Sequence, residues 1–390
     1  MHNFIRWIEV DLDAIINNFR EIRKLVPAPV KILAVVKSDA YGHGAVEVAQ
    51  VLAETGVDMF AVTTLEEGLE LRQHDISTPI LVFAPMLPFE VDIMVKSGLI
   101  ATIDDMGALE ALALGAKKQS IRASFHLKVE TGMGRSGLLQ EQLSAFLSRL
   151  KDLPAIEMSG VYSHLATAMM ADKRFAHKQF AVFSQAVHEI RQAGFSVIAH
   201  IANSAAVLDL PEMYLDLVRV GTLLYGQYPS DQVARKITLK DPWQMKARVI
   251  SLKQLKPGDS VGYGRDYVAK KALEVGIIPV GYADGFGMVP HTRPVKPYDL
   301  VKSAAKSISN MVGIVPAHFV TRGQERLPVI GRVGMQLSMI DVTGKGIHVG
   351  DEVVIPLRRT TSGARLPRIY VQDGSLKRLR SICRWEDYRI

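Results

Sequence analysis

The chain has almost no cysteine: Cys383 is the only one among 390 residues. An intrachain disulfide is therefore excluded, and the lone thiol fits a reducing cytoplasm. No run of about 18 apolar residues occurs, so no membrane span is expected. The opening MHNFIRWIEVDLDAI lacks an apolar stretch and a small-residue cleavage pattern, and no secretory signal is expected there. The eleven histidines form no H-E-x-x-H pair and no Cys/His cluster, so a catalytic metal is not indicated. Low-complexity tracts are missing as well. What remains is globular in composition, 48% hydrophobic and 22% charged, and too long for one ordinary domain. The net charge is +7, and the tail from Arg358 onward supplies 9 − 3 = +6 of it. That tail carries no nucleic-acid motif and reads as a solvated face, so no nucleic-acid partner is expected. A basic balance also suits anionic ligands.

Eight short apolar runs alternate with longer amphipathic ones over the first 225 residues. They are KILAVVK, MFAVTTL, PILVFAP, LIATIDD, ASFHLKVE, IEMSGVYSH, SVIAHIANS and LDLVRVG. Between Lys173 and Gly194, Ala176, Phe180, Phe183, Val187 and Ile190 recur at helical spacing, with Gly194 as a stop. The alternation predicts an α/β fold with an N-terminal (β/α)8 barrel over residues 1–235. The first ten or so residues are candidates to join the second domain. Residues 236–390 predict a mainly β domain, because 243–285 and 318–356 are rich in Val, Ile and Tyr with turns such as KPGD and VGDE. A Pro-containing stretch near 287–325 reads as an insertion.

In such a barrel the chemistry sits at the C-terminal ends of the strands. The first strand would end at Lys37 and the fifth would lead to Lys128 and Arg135. The sixth ends at His164, the seventh at His200, Asn203 and Ser204, and the eighth at Arg219, Gly221 and Thr222. The last two loops supply a hydroxyl and open backbone N–H groups, which suit a phosphate. A strand-end lysine facing a phosphate site is what a Schiff-base enzyme requires, and burial and neighbouring cations favour a neutral amine. Pyridoxal phosphate is the natural candidate cofactor. Taken singly, a strand-end lysine reads as a salt-bridged rim residue and a barrel histidine as a core group. Their joint placement at five strand ends carries the functional reading. GMGRSG at 132–137 matches G-x-G-x-x-G, but no acidic residue follows in a βαβ frame, so dinucleotide binding is rejected. Asp104–Asp105 reads as a polar turn rather than a paired acid.

VVKSDAYGHG resembles the cofactor-attachment signature of alanine racemases. The resemblance continues, in family order, through HLKVETGMGRSG, GVYSHLATA, HIANSAA, DLVRVGTLLYG, VGYGRDY, IPVGYADGF, GRVGM and RLPRIY. It implies a racemase of L- and D-alanine that supplies cell-wall synthesis and works as a homodimer with shared sites. Lys37 would bind the cofactor and act as one base. Tyr263, reaching in from the partner subunit, would be the other. Tyr41 would hold the phosphate with Asn203, Ser204, Gly221 and Thr222. Arg219 would face the ring nitrogen with His200 behind it, or else form a structural ion pair with Asp216. His164 would partner Tyr263, Arg135 would sit by the cofactor's phenolic oxygen, and Lys128 would orient Arg135. Met335 would offer its N–H to the substrate carboxylate, and Tyr282 would support the site. Two acid/base groups on opposite faces can remove and return an α-proton without moving the substrate.

The chain departs from the family's pattern at Glu130, at Met169, at Gln336, at 287–290, and in a shortened segment before RLPRIY that loses a pocket tyrosine. Tyr298 is a candidate replacement. These changes point to altered access with retained chemistry, and hence to a racemase of serine or larger amino acids as an alternative. A cofactor-binding protein with little turnover is another. A related decarboxylase would need an acid cysteine from the partner, and Cys383 is the only thiol available.

Overall fold

Short, wholly apolar strands bury both faces, which suits a parallel sheet flanked by helices. The computed structural model describes residues 2–288, 318–357, 359 and 366–381. The chain begins with β1 (Arg6–Asp11) and α1 (Leu12–Leu25). Strands and helices then alternate: β2 (Lys31–Val35), α2 (Lys37–Gly42), α3 (Ala45–Thr55), β3 (Met59–Val62), α4 (Leu65–Gln73), β4 (Ile80–Pro85), α5 (Val91–Lys96) and β5 (Ile100–Ile103). They continue as α6 (Met106–Gln119), β6 (Ala123–Lys128), α7 (Leu143–Leu150), β7 (Ile156–Tyr162), α8 (Arg174–Gln192), β8 (Ile198–His200), α9 (Ser204–Asp209) and β9 (Leu217–Val220).

The eight strands from β2 to β9 pair in parallel in the order β8-β7-β6-β5-β4-β3-β2-β9. The ends of this ladder meet: Asp216 N–H donates to Ala199 C=O at 3.1 Å and Arg219 N–H to Ala202 C=O at 3.0 Å. The result is a (β/α)8 barrel. One side of its interior is apolar, with Leu33, Val35, Met59, Ala61 and Leu81 packed together. The other side, from β6 to β9, carries the buried polar groups His126, Lys128, His200 and Arg219. The strand alternation explains this split. Lys128 pairs with Tyr162 and Tyr162 with His200, so their side chains share one layer.

Helix α8 shows how the sequence encodes such placement. Its buried face holds Ala176, Gln179, Phe183, Ala186, Val187 and Ile190, while Phe180 is only half-buried. Gln179 replaces an apolar residue on this face because its amide has three partners. It accepts from Ala166 N–H at 2.9 Å and donates to His164 C=O at 3.0 Å and to Thr131 Oγ1 at 3.3 Å. At the other end of the barrel's repertoire, Asp105 caps α6 by accepting from Ala108 N–H at 2.8 Å.

The second unit is mainly β. Its strands are β10 (Trp243–Arg248), β11 (Ser251–Leu255), β12 (Ser260–Val261), β13 (Tyr267–Val268), β14 (Leu273–Ile278), β15 (Phe319–Arg322), β16 (Glu325–Ile330), β17 (Ser338–Asp341), β18 (Glu352–Ile355), β19 (Arg368–Gln372) and β20 (Ser375–Arg380). Ten strands form one sheet in the order β11-β14-β17-β16-β15-β18-β10-β1-β19-β20, and β12–β13 is a separate hairpin. Thus β1 belongs here, antiparallel to β10 and parallel to β19. Of the stretch 287–325, residues 319–322 form β15, whereas Tyr298 lies outside the described residues. So does Cys383. Among the described residues no helix is long and apolar enough to cross a membrane.

The compact units are Leu12–Pro242, and Met1–Asp11 with Trp243–Ile390. Residues 236–242 lie with the barrel because buried Asn18 of α1 holds them. Its Nδ2 donates to Lys240 C=O at 2.8 Å and Leu224 C=O at 3.0 Å, and its Oδ1 accepts from Lys240 N–H at 2.8 Å. Replacing Asn18 by Ala removes all three bonds and leaves the buried Leu224 carbonyl and the part-buried Lys240 backbone without these partners. The expected loss is about 2–4 kcal/mol of barrel stability, read from the urea midpoint. A loss under about 0.5 kcal/mol would show that these bonds do not anchor the segment.

Candidate active site

Lys37 stands two residues past the end of β2, at the start of an unusual turn. Ser38, Asp39, Ala40 and Tyr41 are all left-handed, with φ between 51° and 55°. Non-glycine residues resist this conformation by roughly 1–2 kcal/mol each, so four in a row store on the order of 4–8 kcal/mol. Several contacts hold the turn. Ser38 N–H donates to Glu67 Oε1 at 2.5 Å, Ala40 N–H to Val36 C=O at 2.8 Å, and Ala45 N–H to Asp39 Oδ1 at 2.9 Å. Glu67 is also the capping-box residue of α4, so one carboxylate serves both elements. The rings of Tyr41 and His43 pack on Tyr225, whose hydroxyl donates to Val35 C=O at 2.9 Å.

The turn delivers the Tyr41 hydroxyl to the loop after β9. A Cβ on Gly221 would lie 2.7 Å from Tyr41 Oη, so only glycine admits the phenol there. Burial pushes the Tyr41 phenol up to about 12, and it remains a hydrogen-bond donor. Gly221 N–H donates to Ser204 Oγ at 3.0 Å. Asn203 caps α9, accepting from Ala205 and Ala206 N–H at 3.1 and 3.2 Å. The Thr222 hydroxyl is buried without a hydrogen-bond partner among the described residues. An orphaned hydroxyl beside Tyr41, Ser204 and a bare glycine backbone fits a phosphate group.

Arg219 lies opposite and is only 3% exposed. Its Nη1 donates to His200 C=O at 2.9 Å and to His200 Nδ1 at 3.0 Å. Its Nη2 donates to Ser163 C=O at 2.8 Å and Ile201 C=O at 3.1 Å, and lies 3.4 Å from His164 Nδ1. Burial lowers Arg219 to about 10, so it stays charged at neutral pH. Asp216 does not pair with it: that carboxylate binds Arg191 at 2.7 Å and Ala199 N–H at 2.8 Å. Burial, followed by Arg219, Arg135, Lys128 and Lys37, drives His164 down to about 3. Tyr162 stacks on His200 with centroids 5.1 Å apart and 9° between planes, and Arg219 lies over its ring at 5.5 Å.

The loop after β6 is organised by Glu130. Its carboxylate accepts from Met133 N–H at 2.6 Å, Gly134 N–H at 3.0 Å and Arg135 N–H at 3.4 Å, and also from Gly132 N–H. Burial opposes its charge, but these four donors outweigh burial and hold Glu130 below the usual carboxylate range. Lys128 Nζ donates to Ser136 Oγ at 2.5 Å, and burial, then Arg135, lowers its pKa. The glycine-rich match at 132–137 is therefore a turn wrapped on an acidic side chain.

One cavity of about 600 Å³ gathers Lys37, Tyr41, Lys128, Arg135, His164 and Arg219 with Asn203, Ser204, Gly221 and Thr222. All of its lining comes from the barrel. No ion pair engages Lys37, Lys128, Arg135 or Arg219 among the described residues, which leaves a cationic pocket suited to an anion. His200 sits behind Arg219. Tyr263, Tyr282 and Met335 belong to the β unit and are 78%, 48% and 58% exposed. Tyr263 occupies the tip of the β12–β13 hairpin. Tyr282 N–H donates to Gly334 C=O, and Ala283 N–H to Met335 C=O, both at 3.0 Å. Residues the sequence reading passed over are His126, Tyr162, Gln179 and Tyr225. Strand alternation back from Lys128 and His164 could have raised the first two.

The family description "Alanine racemase, N-terminal domain" matches residues 10–229, and "Alanine racemase, C-terminal domain" matches 243–366. "Alanine racemase 1" of Caldanaerobacter subterraneus is 39% identical over 351 residues, covering 89% of this chain and 84% of that protein. The alanine racemase of Methanococcus maripaludis is 36% identical, covering 90% and 88%. Among solved structures, the alanine racemase of Clostridium difficile 630 superposes with a TM-score of 0.87 at 28% identity, covering 98% and 99%. That of Bacillus anthracis with bound L-Ala-P gives 0.83 at 28% identity, with 98% of each chain covered.

The neutral His164 makes a pH prediction. Its folded pKa of about 3 lies below the ordinary 6.5, so between those values the unfolded chain binds the extra proton. Its contribution to stability is complete above pH ~6.5 and declines as pH falls towards 3, by about 1.4 kcal/mol per pH unit. His164→Asn should therefore flatten the stability slope between pH 4 and 6 by about that amount in urea titrations of the cofactor-free protein. An unchanged slope would mean that His164 is not held neutral.

Proposed function

The chain belongs to the alanine racemase family, and from that premise we propose that it interconverts L- and D-alanine with pyridoxal phosphate at the barrel mouth. The observation that carries this reading is that Lys37 opens onto the same cavity as the buried guanidinium of Arg219 and the Tyr41–Ser204–Gly221–Thr222 ledge. The residues present fit the cofactor. The ledge would take the phosphate, Arg219 the ring nitrogen, Arg135 the phenolic oxygen and Lys37 the aldehyde. Bound there, the cofactor would supply a covalent hold on the amino group and a ring that withdraws electrons from the α-carbon.

The protein's own part is to move one proton from one face of the α-carbon to the other. Lys37 Nζ would take or return it on one face. Tyr263 of the partner subunit would serve the opposite face, which makes the homodimer obligatory for turnover. The 78% exposure of Tyr263 on its own chain suits a donated role. Arg219 can donate hydrogen bonds without giving up its proton, so it would meet the ring nitrogen as a donor and would keep the electron withdrawal that the cofactor supplies weak. Arg135, carried on the loop that Glu130 organises, and Lys128 would balance the anionic oxygen. His164 would accept from Tyr263, and Tyr282 would brace the segment bearing Met335, whose N–H would meet the substrate carboxylate. We place the activity in the cytoplasm, with D-alanine destined for the cell wall.

A second reading concerns breadth. The cavity holds two flexible thioethers, Met133 and Met169, beside Phe83 and Leu165. Side chains of this kind can move aside for groups larger than a methyl, so serine is a candidate additional substrate.

Lys37→Ala should abolish the near-visible absorbance of bound cofactor and lower activity by more than about 10³-fold. Tyr263→Phe should keep the absorbance yet lose about 10²-fold or more in turnover. Full activity in the Tyr263 variant would remove it from the mechanism. A panel of amino acids, followed by loss of optical rotation, decides breadth: strict alanine preference would sink the second reading.

A further inference from the structure

Behind Arg219 lies a group that the proposed chemistry does not use. His126 of β6 is fully buried, and its Nδ1 lies 2.9 Å from His200 Nε2. The two rings meet edge to face, 5.0 Å apart at 64°. The proton positions along this line follow by logic. A guanidinium can only donate, so His200 Nδ1, 3.0 Å from Arg219 Nη1, must accept. Neutral His200 then carries its proton on Nε2 and donates it to His126 Nδ1. His126 is left with its proton on Nε2, an atom without a hydrogen-bond partner among the described residues. A buried N–H without a partner is costly, so its retention needs a reason.

The site is shaped to keep the ring there. A Cβ on Gly160 of β7 would lie 2.6 Å from His126 Cε1 and Nε2. Gly160 has no positive φ to explain it, so the glycine reflects the ring it accommodates. Burial, then Arg219, holds His126 near 3, and His200 is also held well below its ordinary value, so both rings stay neutral. A protonated His126 would point an N–H at the N–H of His200 and break the line.

We propose that His126 is a positioning residue: as the terminal acceptor of the Arg219–His200–His126 line, it takes the Nε2–H that Arg219 imposes on His200, locks that tautomer and thereby steadies the aim of the Arg219 guanidinium into the cavity. The tautomer claim stands on geometry alone. Its effect on turnover rests on the racemase reading above, and one experiment separates the two. In cofactor-free, 15N-histidine-labelled full-length protein, long-range 15N–1H NMR should show His200 and His126 both protonated on Nε2 and bare on Nδ1. Either ring protonated on Nδ1 would overturn the line. His126→Phe keeps a ring but offers no acceptor. It should mix the His200 tautomers and, with cofactor bound, lower kcat about tenfold. His126→Asn presents Oδ1 where Nδ1 stood, and should restore the single tautomer and keep kcat within about threefold. Should the phenylalanine variant not fold, the asparagine variant decides: a mixed His200 tautomer there refutes the proposal. Mixed tautomers with unchanged kcat would overturn the positioning role of His126 in turnover.

Discussion

The buried positive charge of Arg219, met by no carboxylate among the described residues, sets the terms for everything around it. Among the described residues Arg219 is satisfied by three backbone carbonyls and two imidazoles. A buried charge without an opposite partner is expensive. Carbonyl dipoles offset part of that cost but cancel no charge. The surplus appears as neutral histidines at 126, 164 and 200, each held low by burial and then by Arg219. It appears also as a cavity whose basic groups await an anion. Stability and ligand preference are here two readings of one electrostatic fact.

The left-handed turn after β2 is the second constraint. Its strain is tolerated because Glu67, Tyr225 and Val36 over-determine it. A relaxed right-handed turn would carry Tyr41 away from Gly221, and the ledge would lose its phenol. The energy stored at Ser38–Tyr41 is thus tied to the placement of one hydroxyl.

Much of this was legible in the sequence, for specific reasons. The eight apolar runs coincide with β2 to β9, because strands buried on both faces leave an unmistakable compositional mark. The strand-end residues Lys37, Lys128, His164, Arg219 and Thr222 gather round one cavity because a parallel barrel aligns all C-terminal ends. Other features leave no such mark. Gln179 was invisible because a helical stripe predicts Phe180 equally well, and only the tertiary amide partners decide. His126 reads as an ordinary core residue until the donor-only nature of Arg219 is followed through two rings. The left-handed φ angles could not be foreseen, since Ser, Asp, Ala and Tyr carry no glycine-like signal. The ion pair considered between Arg219 and Asp216 failed because Arg191 occupies that carboxylate.

One topological detail bears on how the chain is made. Strand β1 pairs with β10, Glu9 opposite Gln244, across the whole barrel sequence. During synthesis from the N-terminus, β1 emerges long before either of its partners exists. The barrel residues Leu12–Pro242 can complete their own hydrogen bonds in the meantime, whereas the ten-stranded sheet must wait for β19 and β20, which follow every other strand. The order of assembly is therefore written into the connectivity: barrel early, sheet late, with the first strand built serving as the last seam.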